Sequence, residues 1–124
     1  MKNIGKRYND FILELGFRYR SAVYTYDGFS ELVFNQKFDF LEKGIIYYLI
    51  VNSKRPIDGC KSIQVKNDGE LFQTEVILTS DGKNHVYAKN IDSAENVKNI
   101  FTKFLNNHNI PDIGEWVFIG DFDV

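Results

Sequence analysis

The spacing of apolar residues changes several times along the chain, and each spacing predicts a different kind of element. The first apolar residues recur at helical intervals: Ile4, Tyr8, Phe11, Ile12 and Leu15. Gly16 follows them as a suitable C-terminal cap. This spacing predicts an N-terminal amphipathic helix of about three turns.

Residues 17–35 change to alternation, with aromatic residues on both sides of Asp27-Gly28. This pattern predicts two strands joined by a two-residue turn, because Asp-Gly tolerates the positive φ angles that such turns require. Residues 36–44 satisfy neither period, and we assign them no element. Residues 45–51 are a continuous apolar run that predicts a central strand buried on both faces, and residues 52–60 predict a loop.

The second half of the chain predicts a meander of short strands. These strands lie at residues 61–66, 71–79 and 85–88, and Asp-Gly pairs mark the turns between them. Repeated Asp-Gly turns between strand-like runs indicate antiparallel pairing.

A second helix is predicted after Asp92 or Ser93, either of which can cap it. Its apolar stripe consists of Val97, Ile100, Phe101, Phe104 and Leu105. Residues 115–119 predict a last strand before a short acidic tail. Together these elements predict an α+β fold in a single domain, residues 1–124. We expect a curved antiparallel sheet of about six to seven strands, with an N-terminal helix and a second helix before the last strand.

Composition narrows the classes of function. The net charge is −2 and the sequence pI is about 5.6, which argues against a dedicated nucleic-acid binder. The single cysteine, Cys60, cannot form an intramolecular disulfide bond. Residues 1–10 are polar, and the longest apolar run, residues 45–51, is too short to span a bilayer. We therefore expect a cytoplasmic protein without membrane attachment.

Few residues suit metal or covalent chemistry. The softer metal ligands are His85, His108 and Cys60, and no two of them stand at ligand spacing. We therefore expect no metal centre and no cofactor, and we predict that both histidines are structural or solvent-exposed. Pairing of Cys60 with either histidine for nucleophilic catalysis depends on the fold, and we predict a structural cysteine.

Catalysis by paired carboxylates is the remaining route to an enzyme. Asp121 and Asp123 alternate about Phe122, so both point to one side in an extended chain. A glycosidase needs two carboxylates across a cleft, which neighbours on a C-terminal tail do not provide. We predict a solvated tail, no catalytic residue, and a protein that is not an enzyme.

An aromatic and basic segment allows a second interpretation. The sequence Phe17-Arg18-Tyr19-Arg20 interleaves rings and cations, as in surfaces that stack single-stranded nucleic acid. Such binding requires exposed rings beside the arginines. Alternation along a strand would instead separate the rings from the arginines, so we predict that the rings fill the core and that no nucleic acid binds.

The Asn-, Lys- and Phe-rich composition and the acidic end Asp121-Phe122-Asp123-Val124 resemble, in general character, bacterial immunity proteins of contact-dependent and polymorphic toxin systems. The resemblance implies a stoichiometric inhibitor that binds a cognate toxin, such as a nuclease, and occludes its basic groove. It implies a protein partner and leaves the oligomeric state open.

Charge places the predicted binding surface near the C-terminus, because residues 112–124 carry acidic groups and no basic ones. The predicted partner-binding residues are Glu115, Asp121, Phe122, Asp123 and, in a loop, Asp58. Two alternatives stay open. One is a small ligand-binding or enzymatic domain with a pocket between sheet and helices, and the other is a subunit of a larger assembly.

Overall fold

A computed structural model describes residues 5–123 as one antiparallel sheet and two helices, which confirms the α+β class. The elements in chain order are β1 Arg7–Gly16, β2 Val23–Ser30, α1 Glu31–Glu42, β3 Tyr48–Ile57, β4 Cys60–Asn67, β5 Phe72–Ser80, β6 Lys83–Ile91, α2 Ala94–Asn107 and β7 Val117–Asp123. The strands lie in the order β2-β1-β3-β4-β5-β6-β7. Neither helix of the described residues is long and apolar enough to cross a membrane.

One face of the sheet carries the core. The residues of its central row pair directly across neighbouring strands and are fully buried: Leu13, Val51, Ile63 and Val76. The next row towards the β1–β2 loop is Leu15, Leu49 and Val65, and it is almost equally buried. Since side chains alternate along a strand, the residues between these core positions, such as Glu14 and Gln64, lie on the opposite face.

The first helix begins at Ser30, whose Oγ accepts a hydrogen bond of 3.1 Å from the Val33 amide. Its buried side chains follow helical spacing: Phe34, Phe38 and Leu41. The helix ends at Lys43, and Gly44 takes the positive φ of +75° that breaks the helix.

The second helix confirms the sequence prediction. Ser93 caps it by accepting a hydrogen bond of 3.2 Å from the Asn96 amide, and His108 ends it in the left-handed conformation. The buried stripe is Val97, Phe101, Phe104 and Leu105. Phe101 closes the core between the helices, since its ring centroid lies 6.1 Å from that of Phe34 and 6.3 Å from that of Phe38.

The end of α2 is fastened to β1. Tyr8 is buried, and its hydroxyl donates a hydrogen bond of 2.7 Å to Asn106 Oδ1. Burial raises the pKa of the Tyr8 hydroxyl. Phe11 packs against Phe104 with ring centroids 5.4 Å apart. The N-terminal and C-terminal halves of the chain therefore share one core.

The predicted N-terminal helix is wrong, because the segment forms β1. Phe11, Leu13 and Leu15 alternate onto the core face, as a strand requires. The pairing with β2 shifts register between Tyr8 and Ile12, and this irregularity returns Tyr8 to the core face. An alternating strand with one register irregularity therefore has apolar residues at the same intervals as an amphipathic helix. Ile4, which the helix prediction included, lies outside the described residues.

The prediction for residues 17–44 is also wrong in its details. Asp27-Gly28 is not a turn between strands but lies inside β2, where Gly28 takes a φ of +74°. The connection between β1 and β2 is instead the loop at residues 17–22. The second predicted strand and the unassigned residues 36–44 form α1, because Ser30 starts a helix whose stripe begins at Phe34.

The meander is confirmed by β4, β5 and β6, with a tight turn at Asp81-Gly82. The predicted loop at residues 52–60 is wrong over most of its length, because β3 continues to Ile57 and only Asp58-Gly59 turns. The predicted acidic tail is also wrong over most of its length. Residues 121–123 belong to β7, which pairs with β6, while Val124 lies outside the described residues.

The width of the sheet limits how much of it the helices cover. Seven strands have six spacings of about 4.8 Å, which makes the sheet about 29 Å wide. Two helices of about 10 Å diameter cover about 20 Å of that width. Helix α1 packs on β1 to β4, and α2 packs on β5 and β6. The last strand, β7, therefore lies at the poorly covered margin.

Removing a ring from the interhelical core should destabilise the fold. Phe101→Ala and Phe104→Ala should each lower the free energy of unfolding by about 3–5 kcal/mol, because both rings are fully buried. Denaturant titration measures this loss. Phe122→Ala is the matched control, since it removes the same ring from an exposed position and should cost less than about 1 kcal/mol. Equal costs at all three positions would contradict this assignment of the core.

Candidate functional site

The edge strand β7 exposes most of its apolar side chains. The exposed fractions are 65% for Val117, 50% for Phe118, 50% for Ile119 and 53% for Phe122. Trp116, just before the strand, is instead partly buried against the core. Edge strands of monomeric proteins are usually protected by charged residues, proline or a covering segment, because their unpaired backbone attracts other strands. The apolar side chains of β7 are unusual in this respect.

The exposed apolar side chains lie on both faces of β7. Phe118 pairs with Tyr87 and so lies on the face that carries the helices, where the two ring centroids are 5.3 Å apart. Val117 pairs with Ala88 and lies on the opposite face, together with Phe122. The register between β6 and β7 shifts at Ile119. A partner at this edge could therefore contact apolar side chains above and below the sheet.

The structure places the predicted partner-binding residues at two ends of β7. Asp121, Phe122 and Asp123 lie together near the end of the strand, and all three are exposed. Glu115 is exposed in the turn before the strand, about 26 Å from Asp123 along an extended chain. Asp58 lies at the same end of the sheet as Asp123, since the β3–β4 turn and the β5–β6 turn are on the same side.

Asp58 is close enough to β7 to belong to the same interface. The β3–β4 turn and β7 are separated by three to four strand spacings, or roughly 14–19 Å. A typical interface of about 800 Å² per partner spans that distance. The pairing of Lys83 with Asp123 partly offsets the acidic charge at this end. The apolar side chains are therefore the stronger feature of the edge.

A hydrogen-bonded chain of Ser80, His85 and Asp121 links β7 to the β5–β6 hairpin. The Ser80 hydroxyl lies 2.8 Å from His85 Nε2, and His85 Nδ1 contacts Asp121 Oδ1. His85 and Asp121 are directly paired across β6 and β7, so their side chains share a face. The tautomer that satisfies both contacts carries its proton on Nδ1. The contacts fasten the acidic end of β7 to the rest of the sheet.

The same order of groups occurs in serine hydrolases, where histidine takes the serine proton and the carboxylate orients the ring. Acyl transfer also needs donors for the oxyanion in a site from which water is excluded. Here Ser80 is exposed at a hairpin turn, and the side chains of His85 and Asp121 are 27% and 41% exposed. The arrangement therefore suits a structural link better than a catalytic site.

The remaining candidates for chemistry are separated in space. Cys60 is fully buried in β4, and burial raises the pKa of its thiol to about 12. His108 ends α2 and packs beside the Phe11 ring, with centroids 6.0 Å apart. Within residues 5–123 no group of three or more His, Cys, Asp or Glu side chains is placed to hold a metal ion.

A polar cleft of about 900 Å³ runs between α2 and the end of β6. Its lining includes Lys89, Asn96, Asn99, Lys103 and Asp58. If the chain is instead a ligand-binding domain with a pocket between sheet and helices, this cleft is where the ligand would bind. Amides and charges of both signs line this cleft, but the described residues give it no cluster that identifies a particular ligand or reaction.

Sequence reasoning missed two features of the site. The exposure of Val117, Phe118 and Ile119 was missed because an apolar run also fits a buried strand. The contact of Ser80 and Asp121 with His85 had no signal in the sequence, since it depends on the register of β6 and β7.

Comparisons with known proteins give no relative from which a function could be inferred. No protein-family model, no curated protein and no solved structure matches the chain.

The thiol of Cys60 should be unreactive in the folded protein. With a pKa of about 12, only about 0.01% of the thiol is ionised at pH 8, and no solvent reaches the sulfur. Ellman's reagent should therefore react slowly with native protein and rapidly in denaturant, with the native rate rising as pH increases. Equal rates in the two states would show that Cys60 is accessible.

Ser80 should not react as a hydrolase nucleophile, because the groups around it are open to water. We expect no covalent adduct at Ser80 after incubation with a fluorophosphonate probe, as measured by mass spectrometry with a known serine hydrolase as positive control. An adduct at Ser80 that disappears in His85→Ala would instead establish a nucleophilic site.

Proposed function

We propose that the chain is a protein-binding inhibitor whose partner docks along β7, and that this partner is a bacterial toxin bound in the cytoplasm. The observation that carries the proposal is the exposed edge, where four large apolar side chains are each at least half exposed within seven residues. Exposed apolar patches on stable proteins commonly mark interaction sites. A partner on β7 would remove this surface from water.

Strand addition is the binding mode that the edge supports best. Among residues 5–123 no strand pairs with the outer side of β7, so its backbone groups can pair with an extended segment of the partner. Phe118 on one face, and Val117 and Phe122 on the other, would contact alternate side chains of that segment. Backbone pairing would supply affinity, and the apolar contacts would supply specificity.

The acidic residues near β7 favour a basic partner. Asp121 and Asp123 lie on the edge itself, and Asp58 lies at the same end of the sheet. Carboxylates at the margin of an interface raise the association rate with a basic protein more than they raise the final affinity. The resemblance of the sequence to immunity proteins supplies the last step of the proposal, which is that the basic partner is a toxin.

Substitution of the two exposed rings should weaken binding without unfolding the chain. The tagged protein is used to capture partners from the native host, and the captured protein is identified and purified. Phe118→Ser with Phe122→Ser should weaken its binding by at least about 2 kcal/mol in surface plasmon resonance, because aromatic anchors dominate interfaces. Val23→Ser with Tyr24→Ser, on the opposite edge strand β2, is the matched control and should retain binding.

Neutralising the edge charges should change the kinetics. Asp121→Asn with Asp123→Asn should lower the association rate and weaken its dependence on salt. The unfolding free energy should change little, because the amide oxygen that replaces the Asp121 carboxylate can still accept the hydrogen bond from His85 Nδ1. A rate that is unchanged at two salt concentrations would exclude these carboxylates from the interface.

The inhibitor role needs its own measurement. The captured protein should be toxic when expressed alone, and the chain should neutralise it at a one-to-one ratio. A captured protein without toxicity would contradict the inhibitor role. A partner that binds the Phe118→Ser, Phe122→Ser variant with unchanged affinity would contradict the assignment of β7.

A further inference from the structure

The end of the sheet opposite the Asp58 turn gathers rings and cations on its surface. In the β1–β2 loop Tyr19 is 90% exposed, and Tyr24 at the start of β2 is 46% exposed. The Arg18 guanidinium lies 5.9 Å from the centroid of the Tyr19 ring, and that of Arg20 lies 4.3 Å from the centroid of Phe17. Such distances are typical of cation–π contacts.

These residues were expected to form a strand with the rings on one side and the arginines on the other. The structure corrects the strand premise, because residues 17–22 are a loop. Tyr19 is exposed beside Arg18, while Phe17, beside Arg20, is partly buried against the core. Tyr47 joins the group, with Arg18 placed 5.2 Å from its ring centroid. We call this surface the aromatic–cationic end: Phe17, Arg18, Tyr19, Arg20, Tyr24, Lys37 and Tyr47.

An apolar cleft of about 230 Å³ opens within the aromatic–cationic end. Rings of Phe17, Tyr24, Tyr26 and Phe40 line it. The Lys37 ammonium lies at its wall, 5.7 Å from the centroid of Tyr26 and 5.3 Å from that of Phe40. A flat ring could therefore be held between aromatic side chains while a negative group meets the cation.

We propose that the aromatic–cationic end binds single-stranded nucleic acid, with bases stacked on its rings and phosphates contacting its cations. Exposed aromatic side chains beside basic ones are the common feature of surfaces that bind single strands without reading sequence. An acidic peptide would use the cations and leave the exposed rings uncovered. The proposal does not depend on the function proposed for β7, which lies at the other edge of the sheet from β2.

The local charge permits this binding although the whole chain is acidic. Acidic residues near the aromatic–cationic end include Glu42, which lines a cleft together with Arg18, and Asp39, two residues after Lys37 on α1. Asp39 forms an ion pair of 2.9 Å with Lys43, and Asp68 acts on Arg18 at longer range. Within residues 5–123 none of Arg18, Arg20 and Lys37 forms an ion pair with a carboxylate, so these three cations are available to phosphates. The net charge of −2 also counts the carboxylates at the distant end of β7.

Fluorescence anisotropy with labelled oligo(dT) and oligo(rU) of about 12 nucleotides tests the proposal. The full chain should bind both at low salt. With three phosphate contacts, the logarithm of affinity should fall with the logarithm of salt concentration at a slope of about −2. Arg18→Gln with Arg20→Gln should weaken binding by about tenfold or more, and Tyr19→Ser should weaken it by about fivefold or more.

The control variant removes the same number of positive charges outside the aromatic–cationic end. Lys54→Gln with Arg55→Gln, near the far end of β3, should change the affinity by less than about twofold. An equal loss in both charge variants, or no anisotropy change at low salt, would overturn the proposal. Binding to phosphatidylserine vesicles without binding to either oligonucleotide would also overturn it, since it would assign the surface to a lipid bilayer.

Discussion

A sheet of seven strands is wider than two helices can cover, and the exposure of the helix-bearing face at β7 follows from that mismatch. The helices cover about two-thirds of the width, and they are centred where the fully buried row of Leu13, Val51 and Ile63 lies. Towards β7 the cover thins, and the ring of Phe118 on the helix-bearing face stays half exposed. The other face of β7, with Val117 and Phe122, carries no helix, so within residues 5–123 the edge is left uncovered on both faces.

The covered part of the sheet is held by contacts between distant parts of the sequence. Phe101 of α2 packs on Phe34 and Phe38 of α1, and Tyr8 of β1 donates a hydrogen bond to Asn106 at the end of α2. Loss of one buried ring therefore affects both helices. The edge strand depends on fewer such contacts, among them that of His85 with Asp121.

The sequence was informative where local signals agree, and it failed where tertiary pairing decides. The α2 prediction succeeded because a cap at Ser93 and a stripe through Phe101 and Phe104 indicate the same helix. The prediction for β1 failed because a register shift near Tyr8 makes an alternating strand look helical. The acidic residues of the candidate site were predicted, but their place in a strand and the exposure of its apolar residues depend on sheet order.

The two ends of the sheet differ in chemistry: one is aromatic and cationic, and the other carries the apolar, acidic edge. We assign protein binding to β7, and amide hydrogen exchange with and without the captured partner tests this assignment most directly. Exchange should slow in β7 and in the Asp58 turn when the partner binds, while exchange in β2 should not change. Slower exchange in β2 or on α2, with β7 unaffected, would contradict it.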